Sequence, residues 1–427
     1  MRVLYLSDVY FPRVNGVSTS IATFRADLTY LGIETTLVAP EYQSVHSPMT
    51  ATTAERAVRP PALASDRIVR IPSRGVPGDP EDRRMRWGAL TRVLGSMERE
   101  RFDLVHVQTP FIAHYAGVRH ARAVRVPCIE TYHTFFEEYL HHYAPFLPRP
   151  LGRMLVRAFT RSQARGVDAL ITPSEPVREV LLAYGVAAPI HVLPTGLPAD
   201  RFQSGDGRGF RELAGLPPER PLLLYVGRIA FEKNIEFLIE SFALVKRAYP
   251  RAMLVIAGEG PAEDALRRLA TKLGLDADVR FVGYLDRDSA LLDCYAAADA
   301  FVFASRTETQ GLVLLEAMAQ GAPIISTASL GTRSVLKPEC GAIVVPERHE
   351  DFAAAALRVL ASPELRAELA ARSRTYAQSW ASIRLARSMA ELYRSICEGC
   401  SKLDPQARPG ARLSGCAAPS DVGVQRH

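Results

Sequence analysis

Along most of the chain, short apolar runs alternate with segments whose apolar residues recur every three or four positions. The runs Arg2–Ser7, Glu34–Ala39, Ile68–Ile71, Asp103–Gln108, Pro127–Thr131, Asp168–Thr172 and Ile190–Leu193 read as strands. Near-continuous apolar runs of this length suit parallel strands covered on both faces. Between them, Val17–Leu31 places Ile21, Phe24, Leu28 and Leu31 on one helical face. Glu81–Arg101, residues 111–124, Phe135–Tyr143, Pro148–Gly166 and Glu175–Tyr184 also read as helices. The alternation restarts with strands at Leu222–Val226, Ala252–Ala257, Val279–Val282, Ala300–Phe303, Pro323–Ser326 and Ala342–Val345. Two or three consecutive helices follow over Arg358–Ile396, broken at Ser379-Trp380-Ala381. The pattern predicts an α/β protein of two doubly wound, Rossmann-like domains facing a central cleft. Residues 1–195 form the first and 210–378 the second. Residues 196–209 are a linker by composition, and 399–427, poor in apolar residues, form a disordered tail.

The most informative stretch is Ser305–Gln320, SRTETQGLVLLEAMAQ. A buried strand precedes it, a polar loop opens it, and a helix closes it before Gly321-Ala322-Pro323. Glu308 lies in the loop, Glu316 in the helix, and Gly311 lets a ligand approach the backbone. Unpaired N–H groups at the helix start suit a phosphate, and the two carboxylates suit sugar hydroxyls on either side. On spacing alone, Glu-x7-Glu reads equally well as a surface glutamate and a helix glutamate paired to a cation.

Length and charge narrow the class. A chain of 427 residues exceeds one ordinary core, and a net charge of +6 is too mild to indicate a nucleic-acid partner. No lysine precedes Lys233. Cys128, Cys294 and Cys340 fall in core elements and read as buried thiols; Cys397-x2-Cys400 with Cys416 lacks a fourth zinc ligand. The first residues are too short an apolar run for a signal segment, and no apolar run approaches the ~18 residues of a membrane span. The expected location is cytoplasmic, with peripheral contact at the inner face of the cell membrane.

Further chemistry sits at strand ends. In LLLYVGRIAFEKN, Gly227 opens a turn flanked by Arg228 and Lys233, a planar fork and a point charge for a diphosphate. Gly258-x-Gly260-Pro261 lacks the third glycine of a dinucleotide fingerprint, so no NAD site is read there. Val279–Leu285, with Tyr284 near its end, could lay a backbone edge against a planar base, or be an ordinary core strand and turn. Asn15-Gly16 ends the first loop, and Tyr132-His133-Thr134 sits at a strand's carboxyl end.

In this order and at these distances, Gly16, His133, Gly227–Asn234, Gly258–Pro261 and Glu308-x7-Glu316 resemble the family 4 retaining glycosyltransferases of GT-B fold. PRVNGVSTSI and TYHTFFEEYLHHY are most similar to diacylglycerol glucosyltransferases and GDP-mannose-dependent mannosyltransferases. The resemblance implies a UDP-hexose or GDP-mannose donor, no cofactor and no metal. It implies that Arg228 and Lys233 neutralise the diphosphate and that Glu316 accepts ribose hydroxyls. Glu308 would hold the transferred hexose, and His133 would contact it from the other domain. Gly311, Leu312 and Val313 would add backbone N–H groups, and Gly16 would let the first loop approach the diphosphate. The family often has two glycines where this chain has Asn15-Gly16. The helix over 379–398 would cross back to the first domain.

The acceptor side is read from the residues. Arg149, Arg153, Arg157, Arg161 and Arg165 recur every four positions, just after an aromatic patch containing Phe135 and Phe136. Basic residues beside apolar aromatics suit an anionic membrane surface and a lipid or lipid-linked acceptor. A solvated arginine face with a soluble acceptor fits the same pattern. A sugar-nucleotide epimerase and a non-catalytic nucleotide-sugar binder are the competing function classes. The oligomeric state is left open by the sequence.

Overall fold

The computed structural model describes residues 1–42, 67–76, 79–133, 148–287 and 289–401. Among the described residues the chain builds two parallel sheets and one small antiparallel hairpin. Strands of the first sheet are β1 (Arg2–Leu6), β2 (Glu34–Pro40), β3 (Arg67–Ile71), β6 (Leu104–Val107), β7 (Cys128–Thr131), β8 (Ala169–Thr172) and β9 (Ile190–Val192). They lie in the order β3-β2-β1-β6-β7-β8-β9. The second sheet holds β10 (Leu222–Val226), β11 (Met253–Ala257), β12 (Val279–Gly283), β13 (Ala300–Phe303), β14 (Ile324–Ser326) and β15 (Ala342–Val344). Their order is β12-β11-β10-β13-β14-β15. Both sheets reverse direction once, between β1 and β6 and between β10 and β13. Ligands of open α/β sheets bind outside the carboxyl ends of the strands at such a reversal.

The apolar runs form strands because helices cover both faces. Every residue of β10, β11 and β13 is buried. Each fully buried Leu, Ile or Phe contributes roughly 1.5–3 kcal/mol by leaving water, which outweighs local preferences. Cys128, Cys294 and Cys340 are buried free thiols within these cores.

One predicted element is corrected. Glu81–Arg101 was expected to be a single helix; instead β4 (Ser73–Val76) and β5 (Asp79–Met85) form an antiparallel hairpin, and the helix covers only Trp87–Met97. Cross-strand pairing and the Arg86 N–H bond to the Pro72 carbonyl (2.9 Å) override the helix-forming composition of this stretch. The expected helix over Phe135–Tyr143 and most of the expected tail lie outside the described residues.

The last helix, Ser382–Ser401, packs on the first helix, Gly16–Tyr30. Its Tyr393 is fully buried and shares a 2.6 Å hydrogen bond with the Tyr5 hydroxyl of β1. Leu197 exchanges backbone hydrogen bonds with the Trp380–Ser382 segment, so the two crossings between the halves run side by side.

Candidate active site

The carboxyl ends of β10 and β13 border the reversal in the second sheet, and the polar residues singled out in the sequence gather there. After β10 come Gly227, Arg228 and a short turn at Phe231–Lys233. After β13 comes the loop carrying Glu308, then the helix Leu312–Ala319. Lys233 Nζ lies 2.6 Å from Glu308 Oε1, joining the two loops across the reversal. Arg228 approaches Glu232 at 3.9 Å. Gly258, at the end of β11, has φ +134, and a side chain there would collide with the Gly227 carbonyl. The β10 and β11 turns therefore touch backbone to backbone. Tyr284 lies beyond β12 on the same edge, half exposed, its backbone N–H 3.4 Å from Glu259 Oε1.

Gly311 caps the helix in the left-handed region at φ +96. A Cβ there would press on Leu314 and Thr332 at 3.1 and 3.2 Å, so glycine is required by both conformation and space. The N–H groups of Leu312 and Val313 open the helix and have no place in its ladder. Glu316 is buried to 3% side-chain exposure. It pairs with Arg287, and the Tyr295 hydroxyl donates to its other oxygen at 3.0 Å. Sequence reasoning missed Arg287 and Tyr295, because both reach Glu316 from a neighbouring loop and helix with no motif spacing.

The loop between Glu308 and Gly311 also holds the first half. The Thr309 hydroxyl donates to the His133 carbonyl at 3.2 Å, and Ser174 donates to the Thr309 carbonyl at 2.6 Å. Gln310 exchanges two hydrogen bonds with the backbone of Thr195, at 2.8 and 2.6 Å. His133 is thereby brought against the residue next to Glu308. Its Nε2 lies 3.0 Å from Gln108 Oε1, and burial pushes its pKa down to about 4, so it is neutral at physiological pH. Neighbouring His106 is fully committed, to Tyr393 and Thr131, both at 2.7 Å.

On the first half, Asn15 caps the helix that Gly16 begins; its side chain accepts from the Ser18 N–H at 2.9 Å. Nothing lies within 4 Å of where a Gly16 side chain would start. Asp8, past the end of β1, is buried and accepts from Thr109 at 2.8 Å and from the Ala113 N–H at 3.0 Å. Burial lifts its pKa to about 6, against the pull of those hydrogen bonds.

The helix Arg149–Ala164 carries the predicted arginine stripe. Arg153, Arg157 and Arg161 are exposed, and so are Leu151, Met154 and Leu155 on the same helix. Arg153, Arg157 and Arg161 line a groove with Tyr184, over whose ring Arg157 stacks at 5.5 Å. Arg149 begins the helix; Phe135 and Phe136 lie outside the described residues. Among the described residues, no helix is long and apolar enough to cross a membrane.

Comparison with known proteins agrees with this layout. Residues 209–376 match the family model Glycosyl transferases group 1, and residues 14–201 match Glycosyltransferase Family 4. The chain is 33% identical to an alpha-monoglucosyldiacylglycerol synthase of Streptococcus pneumoniae, over 86% of this chain and 80% of that one. It is 27% identical to a GDP-mannose-dependent alpha-mannosyltransferase of Mycobacterium tuberculosis, over 89% of this chain and 93% of that one. Anabaena HepE, solved with UDP and glucose, shares the fold: TM-score 0.71 at 15% identity, over 92% of this chain and 99% of that one. With its parallel sheets in two domains, the chain belongs to the family 4, group 1 glycosyltransferases of GT-B fold.

Proposed function

We propose that the protein is a retaining, metal-independent hexosyltransferase. It moves glucose or mannose from UDP-hexose or GDP-mannose to a hydroxyl of a lipid or lipid-linked acceptor. The observation that carries this reading is the convergence of Lys233, Glu308 and the Gly311 helix start at the reversal of the second sheet, with His133 delivered from the first half.

In this reading Arg228 and Lys233 neutralise the diphosphate as the bond from the anomeric carbon to phosphate oxygen breaks. Their charge acts in a water-poor cleft, where each preorganised donor is worth about 3–4 kcal/mol of transition-state stabilisation. Gly16 and the N–H groups at Gly311, Leu312 and Val313 approach the same phosphates. Glu316 accepts the ribose hydroxyls after exchanging Arg287 for them, and Tyr284 borders the base. Glu308, held by Lys233, orients the hexose, and neutral His133 hydrogen-bonds it. The acceptor hydroxyl attacks on the face the diphosphate leaves, and its proton passes to a donor phosphate oxygen. No protein carboxylate needs to act as base.

For the acceptor, the support is the exposed combination of Arg153, Arg157 and Arg161 with Leu151, Met154 and Leu155 on the half that carries His133. Arginines near an anionic leaflet contribute about 1 kcal/mol each. The protein would sit peripherally at the inner face of the cell membrane. A screen of UDP-glucose and GDP-mannose against diacylglycerol, glycolipid and soluble acceptors tests the proposal. Sugar transfer to a lipid without added metal supports it. Transfer only to soluble acceptors, or none at all, contradicts it.

A further inference from the structure

Gln108 ends the strand region of β6, beside the sheet reversal of the first half, and is 3% exposed. Its Oε1 lies 3.0 Å from His133 Nε2. Its amide nitrogen is buried and has no hydrogen-bond partner among the described residues. A buried amide with one end unused is costly to keep, so its retained contact calls for a reason.

The reason lies in what a neutral imidazole can offer. It carries one proton, and the partner of one nitrogen decides which nitrogen holds it. With the Gln108 amide turned so that its carbonyl oxygen, an acceptor only, faces Nε2, the proton sits on Nε2. That leaves the lone pair on Nδ1, which makes no hydrogen bond among the described residues. His106, the other imidazole nearby, cannot exchange roles with His133, because both its nitrogens are engaged. The cavity that Gln108 and His133 share with Ser20, Thr131 and Thr195 has room for about one water and none for a sugar ring. Substrate must therefore meet His133 from the cleft side.

We infer that Gln108 is a positioning residue of the transfer reaction: its side-chain carbonyl locks His133 in the Nε2–H tautomer, so that Nδ1 accepts a hydrogen bond from a hydroxyl of the transferred hexose. The inference rests on the transferase reading above. It makes His133 an acceptor and no proton donor, so the site selects a sugar that presents a hydroxyl there. Nucleotide recognition, on the other half, is independent of it.

Two measurements test this. Long-range proton–nitrogen correlation spectra of the full chain, labelled with nitrogen-15 histidine and assigned with a His133→Asn variant, report the tautomer directly, whatever the activity. The expected spectrum shows His133 as Nε2–H from pH 6 to 8; an Nδ1–H spectrum overturns the inference. Gln108→Leu is expected to lose the single tautomer and to lower kcat by about tenfold, the effect of one hydrogen bond to the transition state. Its affinity for UDP or GDP should stay at the wild-type value. Gln108→Glu places a carboxylate at Nε2, and the pH–rate profile should gain an ionisation between pH 5 and 8 that wild type lacks. An unchanged tautomer and rate in Gln108→Leu, or an equal loss of nucleotide affinity, would show a structural role only. If the tautomer is as expected and no sugar transfer is found, the transferase reading fails and the tautomer lock stands.

Discussion

Arg287 and Glu316 form an ion pair inside the second half, with Tyr295 on the other carboxylate oxygen. The buried glutamate that the proposed mechanism gives to ribose is thus already satisfied by the protein. In that mechanism nucleotide replaces Arg287, whose backbone carbonyl accepts from the Arg201 guanidinium. Glu316→Gln keeps the shape and removes the charge. It is expected to weaken UDP or GDP binding by about tenfold, the loss of a charge-assisted hydrogen bond, while inorganic pyrophosphate competes as in wild type. Calorimetric titration checks this; equal weakening of both ligands would place Glu316 elsewhere in the site.

Lys233 carries two tasks, since it touches Glu308 and is proposed to face the diphosphate. Arg228→Ala and Lys233→Ala are each expected to lower kcat at least about a hundredfold with the fold intact. Lys233→Ala should also release Glu308 and raise KM for the donor. Steady-state rates beside circular dichroism spectra decide the matter, and wild-type rates in either folded variant would remove that residue from the mechanism.

The strands were legible because buried parallel strands must be apolar on both faces, as Leu222–Val226 shows. Glu308, Gly311, Lys233 and the Gly227 turn were legible because loop and helix chemistry after a strand is local. Arg287, Tyr295, Gln108 and Gln310 were not. Each acts through a partner far away in sequence, and no spacing rule links Gln310 to Thr195 or Gln108 to His133. The hairpin Ser73–Met85 was hidden for a related reason: its polar, arginine-rich second strand is set by pairing, not by its own pattern.

Asp8 gives a pH test. Its pKa rises from 3.8 to about 6 on folding, mainly through burial. The stabilisation linked to that proton is fully present below the unfolded value and is lost as pH rises through about 6, a change of about 3 kcal/mol. Asp8→Asn removes the titration and keeps an acceptor for Ala113. Its melting temperature relative to wild type should be distinctly higher at pH 8 than at pH 4; the same difference at both values would contradict the assignment.

Membrane contact is tested by sedimentation. Wild type should pellet with anionic vesicles at low salt and leave them as salt screens the arginines. A variant with Arg153, Arg157 and Arg161 changed to Gln should pellet less under the same conditions. Wild-type protein that stays in the supernatant at low salt would remove the membrane from this account.

Transfer of a hexose with retention is read from the anomeric configuration of the product. Wild-type protein, incubated with its active donor and acceptor, should give a product whose anomeric proton shows the small coupling of an α-glucoside, or the carbon–proton coupling of an α-mannoside, matching the donor. A product of inverted configuration, or nucleotide release with no glycosylated acceptor, would contradict it.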